Sequence, residues 1–386
     1  MPTRAESVFV AVLPALAVAM CVACGARTSL TDDDGATGSV GSGGGALATT
    51  LASGSGGGAG AGLDCDPNDM TTWSAERYRD DGDYERFAVA TSGVPWVALK
   101  RRDGNVVIEQ IGIDDDAGII VSDSFELPDS PVYPVALDVS PTRFVVLTTT
   151  GINWNGDVAL WSVDRETGAV TQVPIGDPPE DPAYTVGSAL GLVGDDVVVA
   201  YARLIDDQGV LEIRDAALQV QDSRVLDGTS FTPVRRTETE LDVYVGANER
   251  FRVSGSDVTS EPVDPEWHIL GGLGDDLVQY DADIRLIHGD QVWSGPWPHT
   301  QISPPAVVRS DGQKAVFSLE TELTAVVGYP RGAALEWMEI EPTLDASGLG
   351  VGMFPVVEEG RLGLFYLGLE IPNPEQPLRY FGRRCR

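Results

Sequence analysis

Apart from its acids, the chain has few side chains able to do chemistry: three histidines, four cysteines and eight tryptophans in 386 residues, against 59 Asp and Glu. Nucleophilic catalysis needs an activated Ser, Cys or Thr, and no Gly-x-Ser-x-Gly elbow is present to offer one. His268, His288 and His299 stand in three separate segments at no metal or triad spacing, and Ile287-His288-Gly289-Asp290 reads as a hairpin turn. Calcium deserves a hearing in so acidic a chain. Asp64-Cys65-Asp66-Pro67-Asn68 sets oxygen ligands on alternate residues, which makes Asp64, Asp66 and Asn68 the calcium candidates. Asp69 and Ala75 occupy the places where a calcium loop needs Gly and Glu, so solvated turns are the preferred reading and no cofactor is expected.

Trp154 in Asn153-Trp154-Asn155-Gly156-Asp157, and Trp293 and Trp297 around Ser294-Gly295-Pro296, lie near turn signals. An indole face suits sugar CH groups and a neighbouring carboxylate suits hydroxyls, so these three are the candidate ligand-binding residues. The competing reading is that they fill space between sheets. Glycoside hydrolysis would need two carboxylates at a defined separation, and with 59 acids any pair could be put forward, so no catalytic residue is assigned.

The cysteines divide by position. Arg4 lies in a short polar start, and Val8 to Ala23 is apolar and interrupted only by Pro14, too short for a span of about 20 residues but suited to a secretory signal. It closes on Cys21-Val22-Ala23-Cys24-Gly25. A small residue before a cysteine at the end of an apolar signal resembles the lipobox of bacterial lipoproteins, and Cys24-Gly25-Ala26-Arg27-Thr28 looks like the start of many lipoproteins of high-GC Gram-negative bacteria. The resemblance covers about the first 30 residues and implies location, not activity. It implies cleavage after Ala23, a diacylglyceryl thioether on Cys24 and acylation of the new amino terminus, several chains giving the stable anchoring that one cannot. Position 21 departs from the pattern, with Cys where Leu is usual. An ordinary secretory signal is the alternative.

Between Gly35 and Gly62, 22 of 28 residues are Gly, Ala or Ser, a composition that buries nothing. A flexible, disordered tether is expected over 24–62, with a reach of roughly 35 Å by the random-coil estimate. Gly56-Gly58-Gly60 in this tract follows no strand and precedes no helix, so it is no phosphate loop.

From Leu63 onward, short apolar runs with β-branched residues alternate with Gly, Asp, Pro and Asn turns, among them Trp96 to Leu99, Arg143 to Leu147, Val197 to Ala202 and Leu241 to Val245. Almost nothing reads as a helix of three turns, so residues 63–386 are expected to be all-β. Over the strands runs a longer period. Similar openings start near Phe87, Pro134, Gly187, Thr232, Leu270, Pro305 and Pro355, a mean step of about 45 residues, within the range of four-stranded propeller blades. A single β-propeller of seven four-stranded blades is expected, with six blades the close alternative and a pair of β-sandwiches the distant one. Asp164-Arg165-Glu166-Thr167-Gly168 resembles a hairpin turn common in bacterial propellers. Cys65 and Cys385 stand at the two ends of this region, and in an oxidising compartment they are expected to pair, because a closed propeller brings its first and last strands together.

The formal net charge is -33, of which about -31 falls after Gly62. Such a surface argues against nucleic acid and against docking on anionic lipid through basic residues, and favours cationic or divalent-bridged partners. The expectation is a cell-envelope lipoprotein, membrane-bound through its lipid alone, whose monomeric head is a non-enzymatic binding or scaffolding propeller for an envelope protein or glycan. The rival is a carbohydrate-active enzyme with carboxylates in the central channel.

Overall fold

The computed structural model describes residues 73–384 apart from 78–83, 94–95, 103, 115–117, 129–131, 152–155, 178–180, 204, 207, 247–248, 265, 267, 282, 297–305, 311–312, 320–324, 341–352, 359–360 and 368–377. The chain divides into two units, Met1–Gly62 and Leu63–Arg386. Cys24 and the Gly-rich tract belong to the first and lie outside the described residues, as do Asp64, Cys65, Asp66, Asn68, Trp154, Trp297, His299 and Cys385.

Among the described residues are 28 strands and no helix. After β1 (Trp73–Arg77) the strands follow in groups of four. The first group is β2 (Tyr84–Val89), β3 (Trp96–Arg101), β4 (Val106–Asp114) and β5 (Gly118–Glu126), and the second is β6 (Tyr133–Val139), β7 (Arg143–Thr149), β8 (Val158–Asp164) and β9 (Val170–Asp177). The third is β10 (Asp181–Val193), β11 (Asp196–Arg203), β12 (Gly209–Arg214) and β13 (Val220–Leu226), and the fourth is β14 (Phe231–Thr237), β15 (Glu240–Val245), β16 (Glu249–Ser254) and β17 (Asp257–Pro262). The fifth is β18 (His268–Leu273), β19 (Asp276–Tyr280), β20 (Asp283–His288) and β21 (Gln291–Pro296), and the sixth is β22 (Ala306–Ser310), β23 (Gln313–Leu319), β24 (Ala325–Arg331) and β25 (Ala334–Ile340). The last group, β26 (Met353–Glu358), β27 (Arg361–Leu367) and β28 (Leu378–Arg384), has only three strands of its own. Strand β1 completes it, pairing antiparallel with β28 so that Trp73 faces Arg383 and Arg77 faces Arg379.

This is a single β-propeller of seven four-stranded blades, closed by a strand from the chain's start added to the blade from its end. The seven openings seen in the sequence mark the innermost strands. Phe87, Pro134, Gly187, Thr232, Leu270 and Pro355 lie in β2, β6, β10, β14, β18 and β26, and Pro305 directly precedes β22. Those strands share a composition because each is the inner edge of a blade and packs beside the next.

Strand alternation assigns the two faces of a blade to different neighbours. In β15, Leu241, Val243 and Val245 turn toward the third blade and are buried with Ala189, Val198, Leu211 and Phe231. The first and second blades meet on Trp96 and Phe144, whose ring centroids lie 4.6 Å apart. Polar ties cross the ring as well. Buried Asp138 of β6 accepts hydrogen bonds from the Ser92 amide at 2.8 Å and the Leu192 amide at 2.7 Å, and forms an ion pair with Arg235 of β14. Four blades are thereby fastened through one carboxylate. The hairpin signal at Asp164 is realised between β8 and β9: its Oδ1 accepts from the Glu166 and Thr167 amides, and Gly168 supplies the left-handed residue at φ 70°.

Candidate functional site

The fourth and fifth blades meet differently from the others described. Opposite the apolar face of β15, Asp242 and Tyr244 point toward the fifth blade together with Arg250 and Arg252 of β16, which pair across the sheet with Tyr244 and Asp242 respectively. Asp242 is completely buried, and three arginines surround it. Arg252 holds it in a fork, Nε to Oδ1 at 2.8 Å and Nη2 to Oδ2 at 3.1 Å. Arg236, at the end of β14, donates from Nε to Oδ2 at 2.6 Å, from Nη1 to the Gly274 carbonyl at 2.7 Å and from Nη2 to the Tyr244 hydroxyl at 2.8 Å. Arg250 Nη1 stands 3.5 Å from the same oxygen, while its Nη2 pairs with Glu261.

Charge-assisted forks of this kind are strong, and a lone buried carboxylate would be costly without them. Burial pushes the Asp242 carboxyl up, but the hydrogen bonds from Arg252 and Arg236 and the charges of Arg236 and Arg250 outweigh it and hold the group below the ordinary Asp range. The same bond to Asp242 raises the Arg252 guanidinium further above its usual value.

The network does not fill the space between the blades. A cleft of about 310 Å³ remains at the end where the β14–β15, β18–β19 and β20–β21 turns gather, lined by Arg236, Glu240, Arg250, Arg252, Asp275 and the apolar pair Leu277 and Ile287. That volume is at the lower end of small-molecule sites. Gly289, at φ 56°, makes the tight β20–β21 turn on its rim, realising the hairpin read at Ile287-His288-Gly289-Asp290. The turns of the two blades are stitched together by the Gly274 amide, which donates to the Arg235 carbonyl at 2.6 Å, and by a parallel bridge between Arg235 and Leu273.

Of the residues singled out from the sequence, Trp293 is half-buried and packs with Trp337 against Val278, Ile284, Leu286 and Leu335, between the fifth and sixth blades. His288 donates from Nδ1 to buried Asp276 Oδ1 at 2.8 Å, and the exposed His268 ring lies 5.2 Å from that of Tyr280. No group of three or more metal-ligating side chains occurs among the described residues. The arginine cluster was missed by sequence reasoning. Its signal was Asp242 set within Leu241-Asp242-Val243-Tyr244-Val245, a carboxylate in an apolar strand, with Arg250-x-Arg252 at strand spacing beside it.

The class this geometry defines is the seven-bladed β-propeller, and the solved structure matched at a TM-score above 0.5 has a propeller fold. The chain is similar to a virginiamycin B lyase from Staphylococcus aureus, at 13% identity and a TM-score of 0.49, over 81% of this chain and 98% of that one. It is also similar to a chain of the mitotic checkpoint complex, at 13% identity and a TM-score of 0.52, over 81% of this chain and 90% of that one. No protein-family model matches, and no curated protein matches in sequence.

Proposed function

We propose that this is a non-enzymatic binding or scaffolding propeller, exported and held at a bacterial cell envelope by lipid on Cys24, which presents its loops to a protein or glycan partner. What carries the reading is the use made of the buried acids. A carboxylate serving as general acid needs a raised pKa, and the usual means is burial away from cations. Every buried acid among the described residues instead faces a base: Glu109 with Arg101, Asp138 with Arg235, Glu212 with Arg214, Asp242 with three arginines and Asp276 with His288. Asp138–Arg235 fastens two blades, Glu109, Asp242 and Asp276 fasten strands within a blade, and Glu212–Arg214 lies along β12, a use that suits a rigid platform.

The anchor rests on the resemblance of Ala23-Cys24-Gly25 to a lipobox. Wild type is expected in the membrane fraction and Cys24→Ala in the soluble fraction; recovery of both as soluble protein overturns the anchor. A Cys65–Cys385 disulfide belongs to the same proposal. It is supported by the β1–β28 pairing, since Cys385 directly follows β28 and Cys65 lies eight residues before β1. Closing so long a loop contributes up to about 5 kcal/mol in the chain-entropy model. Two free thiols in the unfolded, unreduced mature protein would count against it. The binding role is tested by capture from detergent-treated envelope together with a glycan array. Recovery of one reproducible protein or glycan is expected. Turnover of a glycan, with no partner retained, would replace binding by catalysis.

A further inference from the structure

We infer that a second copy of this chain docks on the outer edge of the third blade, β13 pairing antiparallel with β13 across a twofold axis at Ser223. The monomeric head expected from the sequence is thereby replaced by a homodimer, whose interface stands apart from any envelope partner.

The outer strand of a blade ends its sheet, and the described blades guard that edge in different ways. β21 and β25 meet each other through a parallel bridge between Ser294 and Ala334. β9 carries Pro174, which has no N–H to offer a further strand. β5 and β17 each carry two acids and no base, Asp123 and Glu126 in one and Asp257 and Glu261 in the other, so a second copy would meet like charge. β13, the terminal strand of its sheet, has no proline and no net charge, because Arg224 balances Asp222. Its Val220 and Val225 are 47% and 63% exposed. Repulsion between two heads of about -31 is screened beyond roughly 8 Å at physiological ionic strength, so a neutral, partly apolar strand is where two such surfaces can touch.

The order of residues in β13 is self-complementary. Placed antiparallel about Ser223, Asp222 of each copy lies opposite Arg224 of the other, Gln221 opposite Val225 and Val220 opposite Leu226. Within one copy Arg224 Nε donates to Asp222 Oδ2 at 3.0 Å, with the two side chains 40% and 41% exposed. An exposed pair of that kind contributes little alone. Two of them side by side form a square of alternating charge in which each ion has two opposite neighbours, while the outward N–H and C=O groups find partners and the valines leave water. The bulge in β13 falls between Val220 and Asp222, and from Asp222 to Leu226 the register with β12 is regular. The edge is also held in place. At the β12–β13 turn, buried Leu218 has φ 64°, the one non-glycine residue in the left-handed region among the described residues. Burial of its side chain among residues of the second and third blades, an Arg214 Nη1 hydrogen bond to its carbonyl at 2.9 Å, and Asp215 Oδ1 accepting from the Ala217 and Gln219 amides keep it there. A strand fixed in this way gives up little further entropy when it pairs.

Analytical sedimentation of the full chain in detergent, over a range of protein concentrations, tests this through charge swaps. Wild type is expected to form a dimer as its concentration rises. Asp222→Arg and Arg224→Asp are each expected to weaken self-association by about tenfold or more, while keeping the wild-type melting temperature. An equimolar mixture of the two variants is expected to restore the dimer, because the mixed pair again opposes acid to base at both positions. Wild type that stays monomeric at every concentration overturns the proposal. A dimer that both variants leave intact overturns it by placing the contact elsewhere, and one that mixing fails to restore overturns the charge register. Monomeric wild type whose β13 variants lose a protein captured from the envelope overturns the second copy in favour of that partner.

Discussion

The two faces of the fourth blade are made by the same strands and do opposite things. Toward the third blade, Leu241, Val243, Val245, Phe251 and Val253 close on Ala200, Leu211 and Ile213 in a continuous apolar seam. Even Gly191 is part of the fit: a Cβ there would come within 2.7 Å of Leu241 Cδ2, so the missing side chain makes room for the leucine. Toward the fifth blade, alternate residues of the same strands give Asp242, Tyr244, Arg250 and Arg252, a smaller apolar cluster around Val234 and Ile269, and an open cleft. An apolar seam gains from every surface it removes from water and tolerates no gap. A charged seam must satisfy directed donors, and here Arg236, Arg250 and Arg252 place theirs on Asp242, Glu261, the Tyr244 hydroxyl and the Gly274 carbonyl. In this protein one interface is closed by apolar packing and the other by directed hydrogen bonds and ion pairs.

The largest effect is expected from Asp242→Ala. Three arginines would lose the carboxylate they share, a change costing about 3–5 kcal/mol for a broken buried pair and read as a drop in the urea midpoint. The same variant reports on pH. The Asp242 carboxyl sits lower when folded than when unfolded, so its contribution is complete above the unfolded pKa of about 4 and fades as pH falls through the lower folded value. Stability of wild type should therefore decline below pH ~4 more steeply than that of Asp242→Ala. Equal acid limbs would mean the carboxylate is not held by its arginines.

On the apolar side, Leu241→Ala should cost about 3 kcal/mol through lost burial and a cavity, with no change in the acid limb, which separates the two seams by mechanism. Gly191→Ala should cost somewhat less, about 1–3 kcal/mol, by crowding Leu241. Combined with Leu241→Ala it should cost less than the sum of the two, because the added methyl enters the space the leucine leaves. Strict additivity in that cycle would show that the seam is not packed as described. The smallest effect, within about 0.5 kcal/mol, is expected for Val225→Ser on the exposed outer strand β13, away from both seams.

Much of the fold was legible in the chain because it follows from local rules repeated along it. Strand alternation and turn residues specify hairpins, and seven openings at an uneven step of about 45 residues point to seven blades, with six the alternative, whose inner strands must all solve the same packing problem. The steps vary because hairpins and loops differ in length without moving the inner strands. Trp293 shows the limit of such reading. A tryptophan beside Ser294 and Gly295 looks equally like a sugar platform and a filler, and only the approach of Trp337 from the sixth blade sets it into a core cluster. Arg236, Arg250 and Arg252 show it more sharply. They come from two strands and look like solvated charges, and nothing local says that their side chains converge on one carboxylate.

By itself, then, the sequence determined what depends on periodicity: an all-β chain, a repeat of seven or six blades and its hairpins, since period two and a repeat near 45 residues are properties of neighbours along the chain. The tertiary structure decided which blade each face meets and therefore what each charge means. Asp242 is a buried hub because the fifth blade covers it, and β1 lies in the last blade because β28 offers it the backbone hydrogen-bond partners that the chain's start lacks alone. Both outcomes depend on surfaces far apart in sequence, so no local pattern contains them.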